Sequence, residues 1–195
     1  MLSENESNLP ASAIALFVIG PFASGRTRFI NTLCGRIENY YLDTMPDGKS
    51  LMLPFDPTFS ITDGKSFYFF DNPSAKRFSS EWLTEQTRNI PPSIPCVIVL
   101  FDPSFPPSFR EAKSQIDVVA NTQIRFLVVA NVRDNEDIAF QYESIEAMQK
   151  RWGIDKINVC NALDRESVKK VVVELLQMLP AESLTEQAIL RVQSL

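Results

Sequence analysis

Apolar positions along this chain fall into short unbroken runs, separated by stretches in which they recur at helical spacing. Residues 13–19 form one such run and predict a buried strand; Phe29, Ile30, Leu33 and Cys34 then mark one face of a helix. Residues 38–56 have little periodicity, several prolines and Asp47-Gly48, which predicts a long loop of the kind often kept for function. Residues 55–61 and 66–70 flank Asp63-Gly64 as the arms of a hairpin. Residues 79–90 suit an amphipathic helix with Trp82 and Leu83 inward, ended by Pro91, Pro92 and Pro95.

The second half repeats the alternation. Residues 96–101 are uniformly apolar, as a strand covered on both faces must be, and 126–130 are the same. Phe109, Ala112, Ile116 and Val119 mark a helix between them; Ile145, Met148 and Trp152 mark the next, before a short strand at 157–160. Asp164 suits the N-cap of a helix with the stripe Val168, Val171, Val172, Leu175, Leu176 and Leu179, stopped by Pro180. Ser183 and Glu186 form a capping box for a final short helix, with Leu184, Ala188 and Val192 on one face. That helix packs on the domain in preference to a partner. Residues 1–12 are expected to be a loose N-terminal segment, 13–180 one domain, and 181–195 a C-terminal tail.

Strand followed by helix, with buried strands, predicts an α/β fold: a three-layer α/β/α sandwich around a mainly parallel sheet of about six strands. On such sheets ligands bind at the carboxyl ends of the strands, where the loops gather. The loop after the first strand is Gly20-Pro21-Phe22-Ala23-Ser24-Gly25-Arg26-Thr27. Strand, glycine-bounded loop and helix is the setting of a phosphate-binding P-loop, in which backbone N–H groups and a helix N-terminus face an anion. Gly20, Ser24, Gly25, Arg26, Thr27 and Arg28 are the phosphate-binding candidates. Thr27 offers a hydroxyl to Mg²⁺, and Arg26 stands where a P-loop has lysine. An arginine fork holds phosphate oxygens with a different geometry from a lysine point charge, and in an empty loop it would mimic a bound cation.

Composition narrows the chemistry. The chain has 195 residues, enough for one domain with a substantial core, and is 45% hydrophobic and 22% charged. A net charge of −5 argues against binding a nucleic-acid backbone. With no histidine there is no Ser-His-Asp or Cys-His catalysis and no His-ligated metal. Three unpatterned cysteines, Cys34, Cys96 and Cys160, read as buried reduced thiols in a cytoplasmic protein. No run is long enough for stable membrane insertion.

Other polar residues fall at strand ends. Asp71, after residues 66–70, sits where a Mg²⁺-water ligand would, or simply opens a turn before Pro73. Asn131, Val132 and Asp134 follow the strand at 126–130, and Asn161 and Ala162 follow the one at 157–160. In this order they make a guanine-nucleotide site. Asp134 would accept from guanine N1–H and the exocyclic amine, Asn131 would bridge base and P-loop, and the Ala162 N–H would face the guanine oxygen.

These motifs resemble those of the small GTPases of the Ras/Arf superfamily, most closely the prokaryotic Arf-like and gliding-motility (MglA-type) branch, over about residues 15–179. The likeness rests on 18–25 with 29–33, on Phe70-Asp71-Asn72-Pro73 with Arg77-Phe78, and on 160–162 with 164–168. It implies a GTP/GDP switch using Mg²⁺, held by Thr27, Asp71 and a switch I threonine at Thr58, with Ser60 and Thr62 as competitors for that place. It also implies a roadblock-type or regulatory protein partner. Four departures touch the chemistry: Arg26, Ser74 for the switch II glycine, Ala75 for the water-orienting glutamine, and Val132 for the lysine that packs on the base. They imply weak or absent hydrolysis, or a pseudo-GTPase that needs no nucleotide. A P-loop kinase ranks third, for want of an arginine-rich lid.

Overall fold

In a computed structural model, residues 13–34, 60–62, 65–71, 78–88, 93–133, 138–180 and 183–195 are described. Five parallel strands lie in the order β3-β1-β4-β5-β6, namely β3 Lys65–Asp71, β1 Ala13–Ile19, β4 Ser93–Phe101, β5 Arg125–Asn131 and β6 Asn158–Cys160. The short strand β2 Ser60–Thr62 pairs antiparallel with β3 at the edge, as the hairpin expectation has it. The helices are α1 Arg26–Leu33, α2 Ser80–Arg88, α3 Phe109–Ala120, α4 Ile138–Trp152, α5 Arg165–Gln177 and α6 Ser183–Ser194.

The sheet is central because its strands are apolar on both faces. Every residue of β1 is buried. Ile14, Leu16 and Val18 point to one side, into a cluster with Phe29 and Leu33 of α1, Leu175 and Leu176 of α5, and Val192 of α6. Ala15, Phe17 and Ile19 point to the other, among Trp82 and Leu83 of α2, Ile116 of α3 and Trp152 of α4. Alternate residues of a strand face opposite sides, so one apolar run serves two helical layers. Phe17 stacks on Phe70 with ring centroids 4.6 Å apart and meets Trp82 edge-on at 5.9 Å.

Local signals account for the helix ends. The Asp164 side chain accepts from the Glu166 N–H at 3.1 Å and caps α5. Ser79 accepts from the Trp82 N–H at 3.2 Å at the start of α2. Helix α6 packs into the main core: Leu184, Ala188 and Val192 are buried with the α5 stripe, and the helix lies beside α5 and against β2.

Cys96 and Cys160 are buried and Cys34 is half-buried. Burial drives the Cys96 thiol far above its ordinary pKa and pushes Cys160 up to about 11. Only thiolates react, so at pH 8 a disulfide reagent should titrate one thiol quickly in the folded protein and all three in denaturant. Rapid reaction of all three without denaturant would contradict this packing.

Candidate functional site

The carboxyl ends of the five parallel strands share one edge of the sheet, and Thr27, Asp71, Asn131 and Asn161 gather there. From β1 the chain enters the loop at Gly20, where a Cβ would collide with the Leu100 carbonyl oxygen of β4. Gly25 has φ 95°, and a Cβ there would strike the Asn131 carboxamide. Both positions therefore demand glycine. Between them Phe22 is exposed, Ala23 has φ 63°, and the Ser24 N–H donates to the Pro21 carbonyl at 3.3 Å. Gly25 caps α1 without a side-chain hydrogen bond, and the first turn of α1 holds no acid. The positive end of that helix is thus open to an anion.

Thr27 and Arg26 converge on Asp71 at the end of β3. The Thr27 hydroxyl donates to Asp71 Oδ2 at 2.6 Å, and Arg26 Nε lies 3.5 Å from Oδ1. Arg26 is 8% exposed. Burial holds its guanidinium below the ordinary arginine range, opposed by the Asp71 charge; burial likewise raises the Asp71 carboxyl, opposed by Arg26 and Thr27. For both groups desolvation outweighs the attraction. Among the described residues, Asp71 Oδ1 and the buried Ser24 hydroxyl have no hydrogen-bond partner. The Arg28 side chain is exposed, unlike that of Arg26.

Among the described residues no cluster of three or more acidic or thiol side chains is placed to hold a metal. Thr27 and Asp71 do fit Mg²⁺ in kind: two hard oxygen donors side by side, one carboxylate oxygen without a donor.

Asn131 closes β5 and is 4% exposed. Its Nδ2 donates to the Ser24 carbonyl at 3.1 Å, and its Oδ1 accepts the Ala162 N–H at 3.0 Å. One carboxamide thus joins the loop after β1 to the loop after β6. The Thr32 hydroxyl of α1 donates to the Ala162 carbonyl at 2.7 Å. Two of the expected base contacts are engaged within the protein. The Ala162 N–H, expected to face a base, is taken by Asn131. Val132, expected to offer apolar contact to a base, is 6% exposed and belongs to the core cluster with Ala130, Ile145 and Trp152. Asn161 folds its side chain onto its own loop, with Oδ1 accepting the Leu163 N–H at 2.9 Å.

Three residues of this edge went unremarked in the sequence. Arg133 Nη2 lies 2.8 Å from Asp102 Oδ2 and donates to the Ala23 carbonyl at 3.4 Å. Gln141, fully buried in α4, accepts the Arg133 N–H at 3.0 Å and donates to the Arg133 carbonyl at 2.9 Å. Asp102 carried a legible signal, since Phe101-Asp102 at the end of β4 repeats Phe70-Asp71 at the end of β3. Thr58, Ser74, Ala75 and Asp134 lie outside the described residues; Ser60 and Thr62 fall in β2.

No protein-family model and no curated protein matches this chain.

The electrostatics of Arg26 and Asp71 are testable. Arg26→Met alone leaves a buried carboxylate without its cation and should cost about 3 kcal/mol in urea unfolding at pH 7.5. Adding Asp71→Asn should recover that loss, because each charge is held against desolvation. The sign with pH follows from the raised carboxyl: the folded state holds its proton more tightly than the unfolded state. The single variant should therefore regain stability as pH falls through the folded value towards the ordinary one. A penalty that does not change with pH would count against this.

Proposed function

We propose that this chain is a small guanine-nucleotide-binding protein of the Ras/Arf type, a GTP/GDP switch in the cytoplasm with weak or no intrinsic hydrolysis. The observation that carries it is the Asn131 carboxamide, bonded at once to Ser24 in the glycine-bounded loop and to Ala162 after β6. A phosphate cradle and a base-side loop joined by one buried side chain make a site for a molecule with a phosphate end and a base end. The strand order, with an antiparallel edge strand on β3, supports a P-loop NTPase sandwich.

In this reading the loop N–H groups and the end of α1 bind the β-phosphate, and Arg26 turns its guanidinium to phosphate oxygens. Thr27 and Asp71 would hold Mg²⁺, which when bound offsets phosphate charge. Asp134 accepts two hydrogen bonds from guanine that adenine does not offer. By the resemblance Ala75 replaces the water-orienting glutamine, so slow turnover follows and a protein partner assists or reads the switch.

A second reading has its own observation. Arg26 and Thr27 already satisfy part of Asp71 without any ligand. A site closed on itself in this way suits a pseudo-GTPase that acts as an interaction module.

Isothermal titration of nucleotide-stripped protein with GTP, GDP and ATP in Mg²⁺ separates the two. Guanine nucleotides should bind and ATP should not. Asp134→Asn should weaken GTP at least about tenfold, as expected for losing hydrogen bonds to a charged acceptor. No heat and no thermal stabilisation by any nucleotide would leave the second reading standing.

A further inference from the structure

Arg133 is fixed at both ends. Its backbone is held on both sides by the fully buried Gln141, and its guanidinium is held by Asp102. Asp102 is itself fully used: Oδ1 accepts from the Ser104 N–H at 2.8 Å and from the Ser104 hydroxyl at 2.5 Å, leaving Oδ2 to Arg133. The side chain so anchored reaches the Ala23 carbonyl at 3.4 Å. Ala23 is the non-glycine residue with positive φ among those described, at 63°. A residue with a Cβ adopts that conformation only when its surroundings hold it there. The Ala23–Ser24 peptide is held at both its polar atoms: its N–H donates to the Pro21 carbonyl, and its carbonyl accepts from Arg133.

We propose that the Asp102–Arg133 pair is a strut that sets the shape of the glycine-bounded loop through the Ala23 carbonyl, making Arg133 a positioning residue for the ligand of that loop. The strut spans three strand ends, those of β4, β5 and β1. It fixes the left-handed turn at Ala23, and with it the direction of the Gly25 N–H that follows. Preorganised donors bind an anion more tightly than donors that must first be ordered. The identity of that anion as a nucleotide rests on the function proposed above; the mechanical role does not.

The test therefore has two arms. In the nucleotide-free protein, Arg133→Ala should speed amide exchange at 23–25 about tenfold while strands β1 and β4 keep their protection. With GDP as the probe, the same variant should weaken binding by about tenfold, and Arg133→Lys should restore part of it. Asp102→Asn should reproduce the loss and add little to Arg133→Ala, as members of one strut do. In an Ala23→Gly background, where the left-handed turn is free of steric strain, Arg133→Ala should lose most of its effect. A merely structural ion pair would show no such rescue. Unchanged exchange at 23–25, exchange rising equally through the sheet, or full effect in the glycine background would each overturn the strut. If GDP does not bind the wild type at all, the nucleotide reading falls while the exchange arm still decides the strut.

Discussion

Five parallel strands that end on one edge impose the constraint from which the rest of this structure follows. Each strand must release its chain at the same place, and the loops that leave cannot pair their backbone groups as strands do. In this protein side chains answer for them. Asn131 takes one carbonyl and one N–H from two different loops. Gln141 takes both backbone groups of Arg133 in the manner of a missing strand neighbour. Thr32 takes the Ala162 carbonyl, and Arg133 takes that of Ala23. The edge is held by bonds between side chain and backbone, which leaves it stiff but shaped by a few residues.

The energetics of that edge divide into two kinds. Asn131 and Gln141 are neutral amides with both polar ends engaged, so they are buried at little net penalty. Arg26 and Asp71 are charges pulled from water, with pKa values moved towards their neutral forms by burial. Their attraction does not offset the desolvation, which is poor economy for a purely structural pair and ordinary for a site that waits for a charged ligand. Asp71 Oδ1, which accepts no hydrogen bond, and the Ser24 hydroxyl are both buried at this edge. Stability has been given up where β3 ends beside the glycine-bounded loop and kept where that loop meets the loop after β6.

Where burial follows hydropathy, the sequence was enough. Strands β1, β4 and β5 are apolar runs because both their faces are covered, and α5 and α6 carry clean stripes because each buries one face. Asn131 and Asp71 stood out as polar residues at the ends of apolar runs. The start of α4 is different. There Ile138, Phe140 and Tyr142 are 44–46% exposed while Gln141 has no exposure at all, an inversion of the hydropathy pattern. Gln141 is inside because a loop backbone needs its amide, and no periodicity encodes that need. The pairing of Asp102 with Arg133 escaped for a related reason: an ion pair between two strand ends depends on which strands are neighbours, and β4 beside β5 is a property of the sheet.

Strand alternation also connects Val132 with Arg133. Past the end of β5 the chain keeps its two-sided habit for two more residues. Asn131 meets the loops, Val132 turns into the core with Ala130 and Ile145, and Arg133 returns to the loop side. A lysine at 132 would have to bring its charge around from the apolar face; an arginine at 133 starts on the correct side. The apolar residue at 132 and the cation beside it are thus one arrangement. Val132 seals the cluster around Trp152, and the charge that steadies the glycine-bounded loop is supplied one residue later.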